Sequence, residues 1–463
     1  MKARVINLTE GRIWEQVLLF SIPLLLSNLL QQLYSAVDLI IVGNFAGENE
    51  MAAIGSTAAI TNMIINFFLG LAVGCSVVVA QYFGSDDYEN LQKAIHSTYA
   101  IAIAGGLFLM VSGYFATPFC LGLMQTPADI MEDAVTYMRI ILAGSVPLLI
   151  YNMGAGILRS VGDSKRPFYF LVLSTFTNLV LDIIFVYFFR WGVAGAGWAT
   201  VISQVVSTLL VSFSLIEANT IYHLTLRKIN FHGQTCLEII RIGFPAGIQG
   251  TLIAFSNVLI QSMVNSFGPV AIGGVAAASR LDGIVFSVLN SFSLAATTFA
   301  GQNYGAGLRS RLKRGAKEIS ALTFICTFAI GMLVFLARYP LVRLFTSSPD
   351  IVLVGTRMMA FLTPFYWLLG LVYTLSGYIR GVGESLRPML IILFGMCFFR
   401  LVYLYIALDI DNSLDMIFLC YPVSWVLTLL IIFLYFEKGK WRKLFLDKLQ
   451  EEKVVVKEAD EVR

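Results

Sequence analysis

Twelve apolar runs, each long enough to cross a bilayer as a helix, leave this chain almost no other fold. They lie at about 17–42, 51–80, 91–116, 132–158, 168–189, 194–216, 238–265, 270–299, 314–337, 351–379, 388–408 and 413–436. About twenty apolar residues give roughly 30 Å of helix, the thickness of the hydrocarbon layer. Barrel strands would be about ten residues long and would alternate, so the runs read as helices. Composition agrees: 13% of the 463 residues are charged, against about 25% in a soluble protein. A net charge of +3 gives no electrostatic reason to expect nucleic acid as a partner. Residues 1–16 are not expected to be a cleaved leader, because the apolar run behind them is too long and lacks a small-residue cleavage site.

Basic residues set the orientation. With the N-terminus in the cytoplasm, 25 of the 32 Lys and Arg residues fall on that side, eight of them in a tail from Lys438 onward. Outer segments hold Arg190, Arg338 and Arg343, along with acidic stretches such as GENE (47–50) and DIDNSLD (409–415). Both termini are therefore expected in the cytoplasm of a multi-pass cell-membrane protein.

The chain repeats itself. RSVGDSKRP (159–167) returns as RGVGESLRP (380–388), and QYFG (81–84) as QNYG (302–305), both displaced by 221 residues. FSIP (20–23) returns as IGFP (242–245), displaced by 222. Reuse of similar Gly/Pro turns would not keep three displacements within one residue of each other. The expected architecture is an all-α integral membrane protein of twelve transmembrane helices. They would form two six-helix lobes related by an approximate two-fold along the membrane normal. The expected boundaries are 1–216 for the first lobe, 217–237 for a cytoplasmic linker, 238–437 for the second lobe and 438–463 for a charged cytoplasmic tail.

Charges inside the runs need a reason, since each costs about 2.5–3.5 kcal/mol at a helix centre. Asp182 is one, with Asn178 one turn earlier on the same face. Asp38 continues a polar stripe of Ser27, Gln31, Tyr34 and Ser35, all on one helical face. Counting from the outer ends at roughly 1.5 Å per residue places Asp38 and Asp182 within about 5 Å of the same depth, and Thr200 near them. Two carboxylates, an amide and a hydroxyl can form an oxygen cage for a hard cation, or a pair that shares a proton. The repeat sharpens this, because the positions matching Asp38 and Asp182 are Ile260 and Tyr403. The plainer reading is that Asp38 pairs with an arginine or caps a helix end. In the second half Arg280, Asp282 and Arg400 stand inside the runs, and a structural Arg400–Asp282 ion pair is the expectation there. Histidine and cysteine placement matches no metal motif, and GQNYGAG lacks the Lys-Ser/Thr and preceding strand of a phosphate loop.

TTFAGQNYGAG (297–307), GVAGAGWAT (192–200), YSAVDLIIVG (34–43) and the paired RSVGDSKRP and RGVGESLRP resemble the multidrug and toxic compound extrusion (MATE) family. The resemblance runs over about residues 10–440 and is similar to the branch of DNA-damage-inducible protein F. It implies a monomeric secondary antiporter that moves organic cations out of the cell against inward H⁺ or Na⁺, with no other cofactor, in contact with membrane lipid. It also implies that Asp38, Asn178 and Asp182, with Tyr34 and Thr200 beside them, serve ion coupling. If the ion is Na⁺, the metal set is Asp38, Asn178, Asp182 and Thr200. The norfloxacin-exporter branch places acids in spans 7 and 10, where this chain offers Asn257 and Gln261 and, past Glu238 at the very start of span 7, no carboxylate. Substrate-binding candidates are Gln31, Asn62, Asn66, Asn152 and Arg280. The alternative within transport is a flippase for lipid or lipid-linked oligosaccharide. A membrane enzyme would need clustered His or Ser–Lys groups, which the sequence does not offer.

Overall fold

The computed structural model describes residues 6–217, 221–439 and 441, and among these there is no strand. The helices of the first half are α1 (Ile13–Phe45), α2 (Glu48–Gly84), α3 (Tyr88–Leu123), α4 (Ala128–Ala143), α5 (Ser145–Ser160), α6 (Lys165–Asp182) and α7 (Gly192–Ile216). Those of the second are α8 (Gly233–Asn265), α9 (Pro269–Gly305), α10 (Arg309–Arg343), α11 (Pro349–Leu362), α12 (Tyr366–Gly381), α13 (Leu386–Leu393), α14 (Phe399–Ile410) and α15 (Leu414–Lys438). The order repeats: α1 and α8 have 33 residues each, α2 and α9 have 37, and α7 and α15 have 25. Among the described residues, eleven continuous stretches are long and apolar enough to span a membrane, and the α4–α5 pair, bent by 47°, supplies a twelfth. Of the expected tail, only 438, 439 and 441 fall within the described residues.

Large apolar side chains such as Phe115, Leu336 and Ile410 are more than 70% exposed. That is costly in water and normal against lipid.

One departure from a straight helix has a local cause in the sequence, and two π-helical segments accompany it. The sequence reads as one run over 132–158, yet the helix breaks at Gly144. Pro147 cannot donate a backbone N–H, and its ring collides with the carbonyl four residues back, at Ala143. In the run 168–189, α6 stops at Asp182 and a π-helical segment follows over Ile183–Phe188. A second π segment, Phe394–Phe398, separates α13 from α14.

Packing divides the chain into two compact units. The first holds Ile22–Phe83 and Asp87–Thr251, the second Asn7–Ser21 and Leu252–Arg463, each with a few short additions. Within the first unit, Leu71, Ala94, Leu149, Met153 and Val211 form a buried core that also takes in Tyr222, Leu224, Ile239 and Ile242. The first half of α8 belongs there because glycines let two backbones touch. A Cβ on Gly70 would lie 2.1 Å from the backbone nitrogen of Gly247, and one on Gly74 would lie 2.5 Å from the carbonyl of Ile239. Gly70-x-x-x-Gly74 thus crosses Gly243-x-x-x-Gly247, the small-residue packing typical of membrane helices.

Within the second unit, the stretch Asn7–Ser21 is held by polar side chains. Gln302 Oε1 accepts from the Leu8 N–H at 3.1 Å, and Asn303 Nδ2 donates to the Leu8 carbonyl at 3.1 Å. Arg311 donates to the carbonyls of Leu8, Glu10 and Gly11 and to Gln16. Both repeated RxVG motifs form tight turns. Gly162 has φ +93° and Gly383 +99°, the left-handed region that glycine enters without strain. The acid after each turns back, Asp163 to Arg166 and Glu384 to Arg387.

Candidate cation site in the first unit

Asp38 comes from α1, Asn178 and Asp182 from α6, and Thr200 from α7; all four are buried, Asp182 completely. They lie inside helices because apolar neighbours dominate each run, and they face inward because only that face escapes lipid. The carboxyl groups of Asp38 and Asp182 are side by side, within reach of one shared hydrogen bond. Tyr34 donates to Thr200 Oγ1 at 3.1 Å and lies close to Ser203 as well. The sequence-derived coupling set therefore converges on one place.

Among the described residues, both oxygens of Asp182 and Oδ1 of Asp38 are buried without a donor, and Asn178 Nδ2 is buried without an acceptor. An unpaired buried carboxylate is among the most costly arrangements in a protein. A proton between the two acids, or a small cation among their oxygens, removes that cost. The donor set suits a hard cation, with carboxylate, amide and hydroxyl oxygens available and no sulfur or imidazole among these residues. No cluster of three or more His, Cys, Asp or Glu side chains suited to a metal occurs among the described residues. Tyr137 of α4, buried and within electrostatic range of Asp38, Tyr34 and Asp182, was not anticipated. A tyrosine in an apolar run carries no signal by itself, and no spacing ties it to the acids.

Of the substrate candidates, Asn152 lies in a cavity of the first unit. Asn152, its amide donating to the Leu148 carbonyl at 2.8 Å, lines a small cavity of about 30 Å³ with Thr61, Phe68 and Gln204. Gln31, Asn62 and Asn66 lie outside that lining. Gln31 and Asn62 are exposed, and the Asn66 amide donates to the Asn62 carbonyl. Arg280 is exposed on α9 in the second unit.

The expected Arg400–Asp282 pair is not formed; none of the ion pairs among the described residues joins them. Arg400 is buried, donates to Ser424 Oγ at 3.0 and 3.1 Å, and lies 4.6 Å from the centre of the Tyr421 ring. Asp282 instead accepts from the Tyr366 hydroxyl. A ring face and a hydroxyl on neighbouring α15 satisfy the guanidinium without an acid.

Comparison with known proteins agrees with this architecture. The chain is 29% identical over 445 residues to the probable multidrug resistance protein YpnP of Bacillus subtilis (strain 168), covering 96% of this chain and 99% of that one. It is 25% identical over 411 residues to an FAD transporter of Shewanella oneidensis, covering 87% of this chain and 88% of that one. In fold it matches an outward-facing multidrug resistance MATE family transporter of the MOP superfamily. The TM-score is 0.89 at 23% identity, over 96% of this chain and 99% of the other. The family model described as MatE matches twice, at residues 23–184 and 245–406, with a displacement at both ends within one residue of that of the sequence motifs. Those two matches together span most of the length, and the chain belongs to the MatE family.

Proposed function

We propose that this protein is a secondary active multidrug exporter of the cell membrane. It would move organic, mainly cationic compounds outward in exchange for inward H⁺ or Na⁺. One observation carries the coupling half of this reading: Asp38 and Asp182 are adjacent and buried, with oxygens that no protein donor satisfies. Names of relatives such as YpnP support the export half. In the proposed cycle two lobes alternate access, and ion entry at the carboxylate pair favours one state over the other. A ligand shifts an equilibrium only through unequal affinity for two states. An inward monovalent cation gains about 2.3 kcal/mol per 100 mV of membrane potential. Asp38, Asn178 and Asp182, with Tyr34 and Thr200, are assigned to the ion. Gln31, Asn62, Asn66, Asn152 and Arg280 are assigned to the exported compound.

Basic residues favour cytoplasmic termini and a cytoplasmic linker at 217–237. The proposed lobes are 1–216 and 238–437, acting as a monomer.

Efflux of ethidium from proteoliposomes under separate Na⁺ and pH gradients tests the reading. Export driven by one gradient and abolished by Asp182→Asn is expected. Export that ignores both gradients would remove the antiport assignment. A second reading, a carrier of anionic amphiphiles or nucleotides, draws on the FAD transporter relative and on exposed Arg280. Competition of ethidium efflux by FAD would favour it.

A further inference from the structure

Between α10 and α15 of the second unit lies a groove of about 750 Å³, within the range of roughly 300–1,000 Å³ common for small-ligand sites. Arg309, Lys313 and Lys317 line one wall. They recur every four residues, so they stack on one face of α10. The opposite wall is aromatic, with Phe433, Phe436 and Trp441. Trp441 folds back to donate its Nε1–H to the Phe436 carbonyl at 3.1 Å, with the two rings 4.9 Å apart. The floor is Tyr378, whose hydroxyl donates to the Leu312 carbonyl. One carboxylate, Glu437, lies in the lining. Lys313 and Lys317 are exposed, and neither is in an ion pair among the described residues.

The repeat shows what such a face needs. The residues of α3 matching Arg309, Lys313 and Lys317 are Tyr88, Gln92 and His96. In the first unit that face is covered by the segment after α7. Gln92 Nε2 donates to the Ile221 carbonyl at 2.6 Å, and His96 Nε2 accepts from the Thr225 N–H at 3.2 Å. The neutral face takes chain, whereas the matching face in the second unit is cationic.

We propose that this groove binds the headgroup of an anionic phospholipid. Its phosphate would engage Lys313 and Lys317, and its acyl chains would lie along the Phe433 side. The site stands at the end of two membrane-spanning helices, where headgroups are present at high local concentration and basic side chains gather them.

Native mass spectrometry of the full chain in detergent, with dioleoylphosphatidylglycerol and dioleoylphosphatidylcholine supplied equally, tests this. The wild type should retain phosphatidylglycerol preferentially. Lys313→Gln with Lys317→Gln should lower that preference at least tenfold, since each lysine near an anionic surface is worth about fivefold, or roughly 1 kcal/mol. Lys317→Gln alone carries the same test should the double variant melt early in phosphatidylcholine. Equal retention of both lipids, or an unchanged preference in the variants, overturns the proposal. Displacement of the lipid by millimolar inorganic phosphate would make it a free-anion site and also overturn it. If phosphatidylglycerol binds only after residues 442–463 are deleted, the chain's own tail is the occupant and the proposal fails.

Discussion

Neutralising one carboxylate at a time separates the two parts that Asp38 and Asp182 can play. Asp182→Asn keeps the size of the side chain and removes a buried charge that has no donor, so the variant should melt no earlier than the wild type. Gradient-driven efflux should fall at least tenfold in the same variant, and likewise in Asp38→Asn. The double variant should be little worse than either, because the two act as one unit. Full efflux by Asp182→Asn at normal expression would refute the coupling role. Tyr34→Phe should be milder: it deletes one hydrogen bond to Thr200, about 1 kcal/mol, and should raise the ion concentration for half-maximal transport by a few-fold. Asp38, Asn178, Asp182 and Thr200 were legible because charge is rare in apolar runs and helix rise converts position into depth. Tyr137 was not, since aromatic residues are the common filling of such runs. The Arg400–Asp282 expectation failed for a related reason. Sequence shows which polar groups are buried, whereas rotamers decide which of them meet.

At the scale of helices, the crossing of α2 and α8 depends on the absence of side chains. Gly74→Val would drive a branched group into the Ile239 carbonyl, and overpacking of this kind costs about 1–3 kcal/mol. A lower melting temperature and reduced yield in detergent are expected, and an unchanged melting curve would mean the helices can part freely. The number and length of the helices were readable from hydropathy. Their irregularities were readable only in part. Pro147 announces the break at Gly144 through its missing N–H, but the π segment after Asp182 has no such residue. One extra residue per turn leaves an apolar stretch looking the same. Its position directly after a functional candidate fits the tendency of π segments to occur at such sites.

Taken whole, the chain carries a charge asymmetry that should fix its orientation. If basic residues hold the linker inside, His232→Cys should resist an impermeant thiol reagent added to intact cells and react once the cells are opened. Labelling from outside would reverse the topology and with it the direction assigned to transport. The repeat was fully legible, because three motifs kept displacements within one residue of each other. Which unit the opening turns of α1 and the first half of α8 pack with was not. That choice rests on contacts hundreds of residues apart, such as Leu8 with Gln302 and Asn303.

Those contacts also impose an order on synthesis. Residues 7–21 leave the ribosome well before Arg311, which clasps Leu8, Glu10 and Gly11 and is made about 300 residues later. At roughly 5–20 residues per second that is a wait of about 15–60 s. During it, the start of the chain has no seat. The first unit waits as well, since Gly243 and Gly247 must be made before α2 can be closed against α8. A product arrested after residue 217 should therefore be cut readily by protease at its N-terminal stretch, and one arrested well beyond 311 should resist. The membrane insertion machinery would then need to hold half a transporter until its own far end arrives.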